Sequence, residues 1–92
     1  TEPAPRAERP RAESPRRLTW KEARELEALP QRIEESERRR DELHARLADP
    51  ALYQRAGDGV PALRSELEAV EAELTAAYTR WEELESIREA QA

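Results

Sequence analysis

Apolar residues recur at alternating steps of three and four over residues 60–88, and this spacing is the strongest constraint on what the chain can fold into. Such a pattern is the a/d seam of a coiled coil, in which one narrow apolar stripe of a helix faces a partner helix. A helix of this kind cannot be stable alone, so the chain must bring a partner to it. The seam positions are Val60, Leu63, Leu67, Val70, Leu74, Ala77, Trp81, Leu84 and Arg88.

The first half of the chain supplies that partner, because it carries the same spacing. Its seam positions are Leu26, Leu29, Ile33, Ser36, Arg40, Leu43 and Leu47. Between the two stripes, Gly57, Asp58 and Gly59 favour a chain reversal. The sequence therefore predicts an all-α fold, an antiparallel two-helix coiled-coil hairpin.

Local signals set the expected limits of the first arm. Thr19 followed by Glu22 forms a capping box, so a helix should begin here. Pro30 lacks a backbone donor and disfavours the α conformation at Leu29, which predicts a break or kink between these two residues. We therefore expect a short N-terminal helix before the proline break and a second helix from Pro30 to about Ala48.

The far end of the hairpin should carry a short helical turn over Pro50–Gln54, since Asp49 and Pro50 combine a stop signal with a new cap. The return helix should begin at Pro61 and outlast the first arm. Its C-terminal half, with Tyr78, Trp81, Leu84 and Ile87, is expected to pack on Trp20, Ala23, Leu26 and Leu29.

Residues 1–17 differ in composition from the rest of the chain, with four prolines among Arg, Glu and Ala. Such a segment cannot repay the entropy of ordering. We interpret 1–17 as a disordered Pro/Arg-rich linker and 18–90 as the hairpin domain. The absence of an initial methionine predicts a segment of a longer polypeptide.

Composition argues against catalysis in these residues. Charged residues make up 40% of the chain, there is no cysteine, and the single histidine, His44, has only Asp41 nearby as half of a metal-binding pair. The carboxylates fall on solvated helix faces, and no phosphate-binding glycine loop is present. We expect no enzyme activity, no metal and no cofactor in this segment. No apolar run is long enough to span a membrane, so a cytoplasmic protein is expected.

The net charge of -5 is unevenly distributed. Residues 31–47 carry five arginines against five acidic residues, whereas residues 61–92 carry three arginines against eight glutamates. A polyanion should therefore meet the first arm or the tail. The candidate phosphate contacts are a stripe spaced by seven residues, Arg32, Arg39 and Arg46, together with Arg38, Arg16 and Arg17.

The alternative is a solvated face of the first arm held by ion pairs between neighbouring turns. Arg38 with Glu34, and Arg39 with Glu35, have the four-residue spacing that such pairs need. Charge alone leaves both interpretations open.

Three runs of the sequence resemble a known family. They are residues 18–34, 47–53 and 78–85, with a Leu-Pro break, an Asp-Pro-x-Leu-Tyr turn and an Arg-Trp-Glu-Glu-Leu-Glu ending. Over about residues 18–88 the chain resembles the C-terminal coiled-coil domain of Uup-type ABC-F ATPases.

The resemblance implies a parent protein with two ATP-binding cassettes, hence with ATP and Mg, upstream of this segment. It also implies contact with DNA, or with structured RNA or the ribosome. Two rival interpretations are a dimerisation or protein-interaction coiled coil that positions the cassettes, and a hairpin arm of an aminoacyl-tRNA synthetase. The isolated segment is expected to be a monomer.

Arg40 tests the proposed register, because it occupies a seam position opposite the middle of the return helix, near Val70 and Leu74. A leucine there would pack better in the seam. We expect Arg40→Leu to raise the melting temperature, measured by circular dichroism. A fall in melting temperature would contradict the register.

Overall fold

A computed structural model describes residues 16–54 and 59–91, and all the secondary-structure elements in these ranges are helices. Helix α1 comprises Trp20–Ala48, helix α2 comprises Pro50–Gln54, and helix α3 comprises Val60–Gln91. The all-α prediction is confirmed. Residues 1–15, most of the predicted linker, and residues 55–58, most of the predicted turn, lie outside the described residues.

Helices α1 and α3 pack against each other in opposite directions. Glu25, near the start of α1, forms an ion pair with Arg80, near the end of α3. Fourteen residues further along α1, Arg39 pairs with Glu66, which lies fourteen residues earlier in α3. Because the two separations are equal, one register holds over this whole length of the pair.

The seam between α1 and α3 contains all the buried side chains of the described residues. A basal cluster joins Leu26, Leu29 and Leu84, with Leu18, Ala77, Trp81 and Ile87 against it. A distal cluster joins Ile33, Leu43, Leu63, Val70 and Leu74. Ser36 and Arg40 are only half-buried, so the α1 side of the seam is weakest in its middle.

Pro30 lies inside α1, and the expectation of a helix break there is wrong. A proline in a helix interior removes one hydrogen bond and costs about 3 kcal/mol. Leu26 and Leu29 before it and Ile33 after it are buried in the seam. Full burial of each such side chain contributes roughly 1.5–3 kcal/mol. The three can reach α3 together only if the helix continues, so their burial outweighs the local cost.

Trp20 does not pack on α3 as expected, since its side chain is 73% exposed. It lies nine residues before Leu29, which is two and a half helical turns, and therefore on the opposite side of α1. Leu18 and Ile87 cover the basal cluster in its place. The backbone N–H of Leu18 also donates to Oε1 of Gln91 at 2.8 Å, which joins the two ends of the hairpin.

Helix α2 covers the distal end of the seam, where a short helical turn was predicted. Its Leu52 packs against the distal cluster. The Tyr53 hydroxyl donates to the carbonyl oxygen of Leu47 at 2.6 Å, and Oδ1 of Asp49 accepts from the backbone N–H of Ala51 at 3.0 Å. These bonds tie α2 to the last turn of α1.

A continuous α1 makes a definite prediction for Pro30. We expect Pro30→Ala to raise the free energy of unfolding by about 2 kcal/mol, because the helix regains a hydrogen bond and loses a steric conflict, with a small offset from a more flexible unfolded chain. Urea unfolding followed by circular dichroism measures it. Gln31→Ala, at the adjacent exposed position, is the control and should change stability by less than about 0.5 kcal/mol. A Pro30→Ala variant less stable than the parent would contradict the continuous helix.

Candidate nucleic-acid interface

The outer surface of α1 separates its charges. At 100° per residue, every arginine of this helix except Arg40, and also Lys21, falls within a sector of about 120°. Glu27, Glu34 and Asp41 fall outside it, whereas Glu35 and Glu42 lie within it. The arginines of this sector, which we call the basic face, are exposed: Arg24, Arg32, Arg38, Arg39 and Arg46.

Two of the six predicted contact residues are already committed to partners within the hairpin. Arg39 reaches across the seam and pairs with Glu66 of α3. Arg16 donates through both terminal nitrogens to the Glu22 carboxylate, at 2.8 and 3.0 Å. A phosphate would have to compete with these carboxylates.

The other four predicted residues are exposed and form no ion pair within residues 16–54 and 59–91. They are Arg17, Arg32, Arg38 and Arg46. The ion pairs of the alternative interpretation do not form there either, since Arg39 pairs with Glu66 and Glu35 accepts from Gln31 at 3.5 Å. The structure thus leaves part of the predicted stripe available.

Arg32 and Arg46 differ in their surroundings. Arg32 lines a shallow groove beside the seam together with Glu25 and Glu73 of the two helices. Its charge helps to lower the pKa of Glu25, although the main cause of that shift is the hydrogen bond from Arg80. Arg46 lies fourteen residues further on, about 21 Å along the helix, in the last turn of α1.

On α3, two of the three arginines are bound to acidic side chains. Arg80 donates through Nε and Nη2 to Glu25 at 2.9 Å and through Nη1 to Glu83 at 2.8 Å, and these bonds raise its pKa. Arg88 pairs with Glu85 in the next-to-last turn. Most of the eight glutamates of α3 remain exposed. This helix therefore presents an acidic surface that a polyanion would avoid.

Three residues at the base of α1 belong to the same basic region and were not predicted as contacts: Trp20, Lys21 and Arg24. The Arg24 guanidinium lies over the Trp20 ring, 5.0 Å from its centroid. The sequence signal was the four-residue spacing of Trp20 and Arg24, which brings two side chains together on a helix. The prediction instead places Trp20 against α3, where its ring would not be exposed.

The described part of the chain offers little that a histidine site, a metal site or a membrane-spanning helix requires. His44 is exposed, and its Nε2 lies 3.8 Å from a Glu71 oxygen. No group of three or more metal-ligating side chains comes together among these residues. None of the described helices has the length and apolar character needed to cross a lipid bilayer.

Comparison with known proteins gives a family match over most of the chain. The profile of the family described as "ABC transporter C-terminal domain" matches residues 17–86. The chain is 51% identical over 69 residues to the "ATP-binding protein Uup-like" of Haemophilus influenzae, covering 75% of this chain and 15% of that protein.

Two further relatives share a name with each other. The "ATP-binding protein Uup" of Haemophilus influenzae is 51% identical over 69 residues, covering 75% of this chain and 11% of the relative. The Escherichia coli protein of that name is 33% identical over 72 residues, covering 78% and 11%. The chain thus spans 15% or less of these relatives. No solved structure matches it significantly.

The Glu22 carboxylate makes a pH-dependent contribution to the base of the hairpin. Its bonds from Arg16 and from the backbone N–H of Thr19 lower its pKa to about 2, from an ordinary value of 4.5. A pKa lowered by folding stabilises the fold above the ordinary value, and this stabilisation is lost as the pH falls towards 2. We expect Glu22→Gln to lower the melting temperature at pH 7, and the difference from the parent to shrink between pH 4.5 and 2.

Circular dichroism melts across that range measure the effect. Glu27→Gln, on the same helix and without an ion pair in the described part, is the control and should change little at any pH. A difference for Glu22→Gln that persists undiminished at pH 2 would show that the ion pair is not its source.

Proposed function

Because the chain belongs to the ABC transporter C-terminal domain family, we propose that it is a non-catalytic nucleic-acid-binding accessory domain of an ABC-F ATP-binding protein. ATP and Mg would bind in the cassettes of the full-length protein, outside this segment. The partner would be DNA, or structured RNA such as that of the ribosome, in the cytoplasm. The hairpin itself would bind as a rigid rod.

One observation carries the proposal, which is the different ionic state of the two helices. Lys21, Arg24, Arg32, Arg38 and Arg46 of α1, and Arg17 just before it, are exposed without an ion pair in the described part, whereas Arg80 and Arg88, two of the three arginines of α3, are paired. An unpaired cation does not have to break an ion pair within the protein to bind a phosphate, so its net binding free energy is more favourable. Binding would release the counterions of those phosphates, which makes affinity depend on salt.

The spacing of the basic face favours backbone contacts over base reading. Consecutive members of the stripe lie seven residues apart, about 10.5 Å along the axis, or roughly three base steps of one strand. Arginines that touch only phosphates carry no sequence information. We therefore expect micromolar or weaker, sequence-independent binding that falls steeply with salt.

The uncommitted arginines allow a test that leaves the hairpin's own ion pairs intact. A triple variant with Arg32→Gln, Arg38→Gln and Arg46→Gln should have a Kd for duplex DNA at least about tenfold higher at low salt. The slope of log K against log salt should fall by about 2 to 3, since three phosphate contacts are lost. Fluorescence anisotropy with labelled duplexes at several salt concentrations measures both.

A matched control separates the position of these charges from their number. Ser65→Glu, Ala72→Glu and Thr79→Glu together lower the net charge by the same three units, but on exposed positions of α3. This variant should bind with Kd within about twofold of the parent, because the acidic helix faces away from the ligand. Equal losses in the two variants would show that net charge alone sets affinity and would refute the basic face.

A dimerisation or protein-interaction coiled coil is the second candidate function, and one observation favours it. The outward positions of α3 repeat small residues at steps of three and four, which allow close approach of another helix. They are Ala62, Ser65, Ala69, Ala72, Ala76, Thr79, Ser86 and Ala90, interrupted by Glu83. Sedimentation decides between the candidates: the second expects a dimer that the α3 glutamate variant dissociates, and the first expects a monomer in both.

A further inference from the structure

Among the described residues, Trp20 is the most exposed of the large apolar side chains, at 73%. The basal cluster lies on the other side of α1 and is closed by Leu18, Trp81 and Ile87. An aromatic ring of this size left in water forgoes the largest apolar contribution any residue can make. The hairpin therefore holds Trp20 outward without using it in its own packing.

Cationic side chains lie close to Trp20, one of them over its ring and two more near it in the sequence. Arg24, one turn along α1, lies over the ring at 5.0 Å from its centroid and covers part of its surface. Lys21 and Arg17 are exposed on either side of it in the sequence. An exposed aromatic ring with one cation over it and two more exposed cations within three residues suits a ligand that is flat, aromatic and anionic at its edges.

Two of the three carboxylates in the first turns of α1 are paired with arginines, so they do little to repel an anionic ligand at Trp20. Glu22 is bound to Arg16 at 2.8 Å and lies 3.8 Å from Arg80. Glu25 is bound to Arg80. Glu27, on the same side of α1 one turn beyond Arg24, is the exposed carboxylate that opposes an anionic ligand.

We propose that Trp20 is a stacking platform for an unpaired nucleobase, with Arg17, Lys21 and Arg24 contacting the phosphates beside it, so that the base of the hairpin prefers single-stranded nucleic acid. This inference rests on the proposed function and adds a ligand class to it. Stacked bases inside a duplex have no free face, so only a single strand, a loop or an unpaired end can stack on the ring. DNA and RNA share this chemistry, and the ring does not distinguish them.

The test compares the 92-residue chain with its Trp20→Leu and Trp20→Phe variants. Leucine keeps an apolar side chain without a π face, and phenylalanine keeps a smaller face. Binding of a labelled 12-nucleotide dT oligomer, an rU oligomer and a DNA duplex is measured at one low salt concentration. Circular dichroism checks that each variant is folded, which is expected because the Trp20 side chain is exposed.

Trp20→Leu should weaken binding of both single strands about tenfold, and Trp20→Phe should weaken it by less. Neither variant should change binding of the duplex by more than about twofold. Unlabelled dT oligomer should quench tryptophan emission of the parent chain. In Trp20→Leu, the remaining half-buried Trp81 should show no quenching.

Other outcomes separate the inference from the function on which it rests. If single strands and duplex both bind but Trp20→Leu binds them as the parent does, the stacking platform is refuted and the basic face stands. If neither binds, the proposed function fails together with it. If the dT oligomer binds without quenching, Trp20 lies outside the interface, and a protein surface is the better explanation of its exposure.

Discussion

Burial of one shared apolar seam between α1 and α3 is the interaction on which the structure depends. Within residues 16–54 and 59–91, all eight buried side chains lie at seam positions, and they form two clusters that Ala77 and Trp81 bridge. In so narrow a core each helix has a single surface to bury, so the seam fixes which residues point outward. The ion pairs Glu25–Arg80 and Arg39–Glu66 lie along one edge of the seam and share its register.

The seam also decides where local preference gives way. At Pro30 the local signal favours a helix end, but the buried leucines before it and Ile33 after it require one continuous helix. At Arg40 a polar residue occupies a seam position that favours an apolar one. Its side chain is half-buried there, and its guanidinium donates to Asp41 at 3.1 Å. Tertiary burial thus outweighs propensity where it recovers several kcal/mol, and polar residues are tolerated where their head groups reach water.

The proposed binding surface is what remains after the hairpin satisfies its own charges. Arginines at the edge of the seam, such as Arg39 and Arg80, find carboxylates on the opposite helix. Those further around α1, such as Arg24 and Arg38, have no carboxylate of α3 within reach. A coiled coil with an acidic second helix and a partly uncommitted basic first helix therefore has one side suited to phosphates, and the exposed Trp20 lies at its base.

The helical fold, the seam and the short helix at the tip were predictable from the sequence, because the spacing of apolar residues and the caps are local properties. The sequence also located the arginine-rich arm. Three other features were not predicted: α1 continues through Pro30, Trp20 faces water, and Arg39 and Arg16 are bound to Glu66 and Glu22. The seam contacts on both sides of Pro30 and the Arg39–Glu66 pair join residues distant in sequence, and the spacing within one helix carries no information about such contacts. Trp20 then faces water because a continuous α1 places it two and a half turns from Leu29.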